Sequence, residues 1–243
     1  MSDTAELNDR FFFTANGSDV SGERTASLYK SDGSYGGTRT IFTTTGPDVV
    51  IGDVVNVSGT LYFNVVDGSV SSLWKSNGFS GGTVKVTDLG DARTLANVNG
   101  TLWFTGHDAE HGTELWTSDG TEAGTKLFKD FNPGPGDSFP ETAHVTVVGG
   151  TAFIRVDDGI HGTELWASDG TAARTRMITD SPDTPFNADS PQVLGAVGQT
   201  LYLSAVDELH GRELWKVVDQ TAPTLGGGGT VTFVENAGPS IQM

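Results

Sequence analysis

Three histidines of the sequence recur in the same motif, His-Gly-x-Glu-Leu-Trp, and each is followed three residues later by a glutamate. The pairs are His111 with Glu114, His161 with Glu164, and His210 with Glu213. Imidazole and carboxylate groups bind metal ions and transfer protons. On a β-strand, however, side chains three positions apart point to opposite faces. The spacing therefore favours a structural hydrogen bond from each histidine to a neighbouring Asp or Trp over a shared metal ion.

Aspartates precede the same histidines and provide the best candidates for a binding site. We assign ligand binding to the rim loops that carry these side chains, namely Asp108, His111, Asp158, His161, Asp207 and His210. Calcium requires six to eight oxygen ligands, and no segment matches the twelve-residue EF-hand loop. We therefore predict no metal ligand set and no cofactor, and calcium binding at these loops stays open as an alternative.

Other residues capable of chemistry have simpler explanations. The aspartates of the Ser-Asp-Gly turns are predicted to cap their own backbone, and they are Asp32, Asp119 and Asp169. The tryptophans that follow Leu are predicted to pack between sheets, with a carbohydrate platform as the alternative. No Gly-x-Ser-x-Gly motif and no phosphate-binding loop is present, so we predict no catalytic residues and no enzyme activity.

The motif belongs to a repeat that fills most of the chain. A Leu-aromatic pair recurs at intervals of about 40 to 50 residues, at Leu28-Tyr29, Leu73-Trp74, Leu115-Trp116, Leu165-Trp166 and Leu214-Trp215. Short aromatic and β-branched segments bounded by Asp and Gly predict strands, with no helical periodicity. We expect four strands per unit: the Leu-Tyr-Phe segment, the Glu-Leu-Trp segment, the segment after Gly-Thr, and a fourth such as 54–57.

Four antiparallel strands per unit predict an all-β fold, a β-propeller of about five four-stranded blades, either incomplete or part of a larger ring. We place the propeller at residues 1–219, a Gly-rich linker at 220–229, and the first strand of a following module or a mobile tail at 230–243. The N-terminal strand resembles the end of a fourth strand. One possibility is that it completes the last unit, beside Leu201–Asp219.

The segments Glu114–Thr121 and Glu164–Thr171 resemble the bacterial ELWxxDGT repeat proteins, and the resemblance covers roughly residues 7–219. It implies propeller-like arrays in large secreted or surface-exposed proteins, and no established reaction. The first unit departs from the pattern with Leu28-Tyr29 and no preceding Glu, and the fifth lacks the Asp-Gly turn. Residues 230–236 show a weaker resemblance to the first strand of cadherin-like adhesin modules.

Composition limits the partners. The formal net charge is −17 and there is no cysteine, which argues against nucleic acid, anionic membranes and thiolate metal sites. No apolar run is long enough for membrane insertion. We therefore expect a non-catalytic scaffold or adhesion module, extracellular or at the cell surface. Its expected partners are other domains of the same polypeptide and an extracellular glycan or protein. The alternatives are a calcium- or carbohydrate-binding propeller and, third, an enzyme that uses the propeller axis.

Overall fold

The computed structural model describes residues 4–139, 145–179, 189–207, 211–219 and 231–235. The chain is all-β, as predicted, and its strands form five four-stranded antiparallel sheets, each in simple meander order. Sheet 1 contains β1 Thr4–Leu7, β2 Arg10–Ser18, β3 Arg24–Ser31 and β4 Arg39–Thr45; sheet 2 contains β5 Val50–Val57, β6 Thr60–Asp67, β7 Val70–Ser76 and β8 Thr83–Asp88; sheet 3 contains β9 Gly90–Val98, β10 Thr101–Asp108, β11 Gly112–Ser118 and β12 Lys126–Lys129. Sheet 4 contains β13 Val145–Val148, β14 Thr151–Asp157, β15 Thr163–Ser168 and β16 Arg176–Met177; sheet 5 contains β17 Asp189–Val197, β18 Thr200–Asp207, β19 Gly211–Asp219 and β20 Val231–Glu235.

The chain divides into two compact units, residues 1–137 with sheets 1 to 3 and residues 138–243 with sheets 4 and 5. Two short 3₁₀ turns, Ser80–Gly82 and Ala172–Arg174, lie between strands. In the part of the chain that the structure describes, no helix has the length and apolar character needed to cross a bilayer.

The sheets begin one strand earlier than the sequence analysis expected. The segment predicted as the fourth strand of each unit is the first strand of the next sheet, because a two-residue turn joins it to the Leu-Tyr-Phe strand. Ser58 and Gly59 have φ of 50° and 87°, and Asn99 and Gly100 have 52° and 85°. Positive φ at both central residues defines the type I′ turn, whose twist matches that of the strands it connects.

The two ends of the chain pair differently from what we expected. A turn at Asn8 and Asp9 folds β1 back onto β2 within sheet 1, so β1 does not complete the last unit. That place is taken by β20, which pairs antiparallel with β19. The assignment of residues 230–243 to a following module stays a prediction, and the linker at 220–229 lies outside the described residues.

Side chains that alternate along β6 and β7 give sheet 2 two apolar faces. In sheet 2, Phe63 and Trp74 face sheet 1, where Phe42 packs against their rings at centroid distances of 5.5 and 4.6 Å. Tyr62 and Leu73 point the other way and share a buried cluster with residues of sheet 3. The same alternation joins sheets 4 and 5. The tryptophans of the Leu-Trp pairs that these contacts describe therefore pack between sheets, as predicted.

Candidate functional site

The loop between β10 and β11 holds the first predicted histidine. The Asp108 carboxylate accepts hydrogen bonds from the backbone N–H groups of Glu110 and His111, at 2.9 and 2.7 Å. The same carboxylate lies 3.0 Å from Nδ1 of His111 through each of its oxygens. Asp108 thus closes the loop and orients the imidazole at once, which is the structural hydrogen bond expected from the sequence.

The loop between β14 and β15, in the second unit, repeats this arrangement. The Asp158 carboxylate accepts from the backbone N–H groups of Ile160 and His161, at 3.0 and 2.9 Å, and lies 2.8 Å from Nδ1 of His161. Asp157 closes the same loop by accepting from the N–H of Gly159 at 2.9 Å. Two independent copies of the sequence therefore give the same Asp–His pair.

The third predicted pair is described only in part. Asp207 is the last residue of β18, so its backbone lies where Asp157 ends β14. His210 lies outside the described residues. Asp207 and His210 therefore stay predictions.

The glutamates of the motif lie away from the histidines. Glu114 is fully buried, and its carboxylate accepts from the backbone N–H groups of Phe131 and Asn132, at 3.1 and 3.3 Å. Glu164 is also buried and accepts from the Thr179 hydroxyl, which in turn accepts from the N–H of Leu165 at 2.8 Å. These carboxylates fasten the segment after the fourth strand to the third strand. In these two copies the histidine and the glutamate therefore contact different groups.

The Asp–His pair in the first unit changes the pKa of both partners. The hydrogen bond to Asp108 raises the pKa of His111 above its ordinary value of 6.5, against a smaller opposing effect of desolvation. Partial burial by itself would raise the pKa of Asp108, but the hydrogen bonds from His111 and the loop backbone outweigh it and lower the pKa. With Nδ1 held by a carboxylate, the imidazole presents Nε2, the atom that would accept a proton or bind a ligand.

A further carboxylate at this end of sheet 3 was missed by the sequence analysis. Asp137 accepts from the backbone N–H of Thr113 at 2.7 Å, and its Oδ1 lies 3.7 Å from Nδ1 of His107. The sequence around Asp137 does not indicate this role, because both partners, Thr113 and His107, are more than twenty residues away in sequence. Within the described residues, no three or more His, Asp and Glu side chains are grouped closely enough to hold a metal ion.

The Ser-Asp-Gly segments form a second recurring structure at the opposite end of the sheets. In the loop between β11 and β12, the Asp119 carboxylate accepts from the N–H and hydroxyl of Thr121, at 2.9 and 2.7 Å. The hydroxyls of Ser118 and Thr125 lie 2.8 Å apart and close the loop. Equivalent Ser–Thr pairs close three other loops, and they are Ser31–Thr38, Ser76–Thr83 and Ser168–Thr175.

The predicted backbone capping by Asp32, Asp119 and Asp169 is confirmed. The Ser–Thr pairs were not foreseen.

Comparisons with known proteins identify the fold and no family. No family model matches the chain, and no curated protein matches it. Among solved structures, the β-propeller domain of the trilobed protease from Pyrococcus furiosus, which has an open velcro topology, is 12% identical, with a TM-score of 0.54 over 90% of this chain and 69% of that one. A glucose dehydrogenase gives a TM-score of 0.44 at 12% identity over 90% and 82% of the two chains. An α-L-arabinofuranosidase from Clostridium thermocellum gives 0.40 at 10% identity over 96% and 92%. At this identity the first of these supports a β-propeller type of fold and says nothing of activity.

Proposed function

We propose that the chain is a non-catalytic repeat module in which the five sheets serve as the blades of a propeller-like array. In this proposal it belongs with the bacterial ELWxxDGT repeat proteins that its motifs resemble. It acts as a scaffold or adhesion module of an exported protein, extracellular or at the cell surface. Its partners are neighbouring domains of the same polypeptide and an extracellular glycan or protein.

The observation that carries this proposal is the use of the repeat motif itself. The Glu114 carboxylate is fully buried and holds the backbone of the next segment. The Asp119 carboxylate stabilises its own loop, and Trp116 packs in the core and donates Nε1–H to the Gly106 carbonyl at 3.1 Å. Motif residues that stabilise and connect sheets are typical of a scaffold protein. In such a protein, function comes from the surface that the repeats display.

A second candidate function is the binding of calcium or a glycan at the Asp–His loops. It is favoured by one observation: two pairs, His111 with Asp108 and His107 with Asp137, lie at the same end of sheet 3. The net charge of −17 attracts cations to such a surface. In this alternative the binding residues are those of the loops, Asp108, His111, Asp158, His161, Asp207 and His210.

Two measurements test these functions. The scaffold proposal predicts no saturable turnover when the purified chain is incubated with panels of glycosides, peptides and esters, and turnover that follows saturation kinetics would overturn it. Calorimetry and thermal unfolding with calcium chloride or with EDTA test the alternative. A ligand at one hundred times its Kd stabilises the folded state by about 2.7 kcal/mol. Calcium binding that is lost in Asp108→Asn but kept in Asp32→Asn would establish the second function in place of the first.

A further inference from the structure

The first strand of sheet 2 contains a β-bulge whose side chains are polar although they are buried. The register of β5 against β6 shifts between Ile51 and Val54. Gly52 and Asp53 therefore oppose a single residue of β6, Asn64, and the regular ladder of hydrogen bonds is interrupted there. Asp53 and Asn64 thus stand at the same level of two adjacent strands.

Both side chains point to the face of sheet 2 that sheet 3 covers. Val54, Phe63 and Val65 belong to the core cluster that sheet 2 shares with sheet 1. Successive side chains of a strand alternate between faces. Asp53, which precedes Val54, and Asn64, which lies between the other two, therefore point away from sheet 1. Strand β9 of sheet 3 contacts β5, β6 and β7, and both sheets lie within the unit of residues 1–137.

Apolar side chains enclose these two polar groups. Asn64 is 4% exposed and Asp53 is 7% exposed. Leu73, directly opposite Asn64 on β7, and Ala92 of β9 are both 0% exposed and belong to one core cluster. An amide and a carboxylate in such surroundings lose their hydrogen bonds to bulk water. They are stable there only with partners inside the fold or with a bound ligand.

The amide oxygen of Asn64 is the group that points to a ligand. Within the described residues, Asn64 Oδ1 is fully buried and accepts no hydrogen bond. Close packing holds it in this place, since a Cβ added at Gly52 would lie 2.7 Å from Asn64 Oδ1. The glycine therefore leaves the room that the amide fills. A buried acceptor without a donor destabilises the fold, and an ion or a water molecule is its usual partner.

Sheet 3 brings further oxygen atoms to the same layer. The register of β9 against β10 is also shifted, at residues 90–93. The Ser71 hydroxyl of β7 donates to the Ala92 carbonyl of β9 at 3.3 Å. Ser71 lies two positions along β7 from Leu73, the residue opposite Asn64, so this contact forms next to the amide. Polar groups of both sheets therefore meet on this face.

We propose that Asp53 and Asn64 hold a calcium ion between sheets 2 and 3, and that backbone carbonyls of the two irregular strands complete its oxygen ligands. Calcium takes six to eight oxygens from carboxylates, amides and carbonyls in a flexible geometry. Magnesium needs a near-octahedral site and gives up its water reluctantly, so it fits an enclosed site less well. The ion also compensates the negative charge that Asp53 brings into the core, which a water molecule does not.

Calorimetric titration of the calcium-free chain with calcium chloride tests the inference. We expect one saturable site per chain, and binding of magnesium chloride that is weaker by about tenfold or more. Asn64→Leu removes a ligand oxygen and should abolish this calcium binding. Asp53→Asn keeps the shape of the side chain and should weaken the binding by about tenfold or more. Asp32→Asn, in an exposed turn of sheet 1, is the control and should bind calcium like the unchanged chain.

Thermal unfolding separates loss of the ion from loss of the fold. In EDTA, Asn64→Leu should melt no lower than the unchanged chain, because it replaces an unsatisfied buried amide by an apolar group of similar size. Added calcium should raise the melting temperature of the unchanged chain and leave that of Asn64→Leu where it was. Circular dichroism establishes that each variant is folded.

Three results would overturn the inference: no saturable calcium binding, equal calcium affinity in Asn64→Leu and the unchanged chain, or a crystal structure grown with calcium chloride in which only a water lies between Asp53 and Asn64. Binding that is lost in Asp108→Asn but kept in Asn64→Leu would place the ion at the Asp–His loops and would also overturn it. The inference does not depend on the proposed scaffold function, since turnover in the enzyme panel leaves these results unchanged.

Discussion

The buried carboxylate of Glu114 offers the sharpest test of how the repeat motif builds the fold. Replacing it in Glu114→Ala removes the acceptor for the backbone N–H groups of Phe131 and Asn132, at 3.1 and 3.3 Å. A hydrogen bond to a charged group contributes about 1.5 to 3 kcal/mol net. The second bond is long, so we count the pair at the lower end and expect a loss of about 3 kcal/mol in the free energy of unfolding.

Urea unfolding at pH 7, followed by tryptophan fluorescence, measures this change. Glu114→Gln keeps the side-chain volume, but its amide N–H₂ faces one of the two backbone N–H donors. We therefore expect Glu114→Gln to lower the free energy of unfolding by about 1.5 to 3 kcal/mol, which is less than the effect of Glu114→Ala. Glu122→Gln is the matched control, because Glu122 is an exposed side chain of the loop between β11 and β12. If Glu114→Ala and Glu122→Gln shift the transition equally, the carboxylate does not hold the segment and the reasoning fails.

Two further predictions concern the loops at the two ends of the sheets. Gly120→Ala should destabilise the chain more than Gly33→Ala, because both have positive φ, at +86° and +80°, but only the first places a Cβ 2.5 Å from the Tyr62 hydroxyl; thermal unfolding of the two variants compares them, and equal losses would contradict the structure. In an NMR titration His111 should have a pKa above 6.5, returning toward 6.5 in Asp108→Asn. The raised pKa of His111 adds to the free energy of unfolding below the unfolded-state pKa, and this stabilisation is lost as pH rises through the folded-state pKa. The lowered pKa of Asp108 has the opposite dependence, and its stabilisation is lost as pH falls through the folded-state pKa. A midpoint that does not move in the variant would contradict the pairing of these two side chains.

Short-range geometry explains which parts of the site were predictable from the sequence. A hydrogen bond from His111 to a neighbouring aspartate was expected, and it forms with Asp108 three residues away. His111 lies in the loop before β11, so the strand alternation assumed in the sequence analysis applies to Glu114 and does not extend to this histidine. Backbone capping by Asp119 was predictable for a similar reason, since an aspartate in a turn reaches the N–H two residues on. Both inferences need only local geometry.

The start of each sheet and the role of Asp137 were not predictable in the same way. The Asp119-Gly120 segment lies in a connection of seven residues, 119–125, between β11 and β12, and the Ser118–Thr125 hydroxyl pair closes this loop. The true two-residue turns, such as Asn99-Gly100, then decide which strand opens a sheet. Asp137 gains its role only when folding brings it to the N–H of Thr113. Contacts of this kind depend on the tertiary structure, and the local sequence around either residue does not predict them.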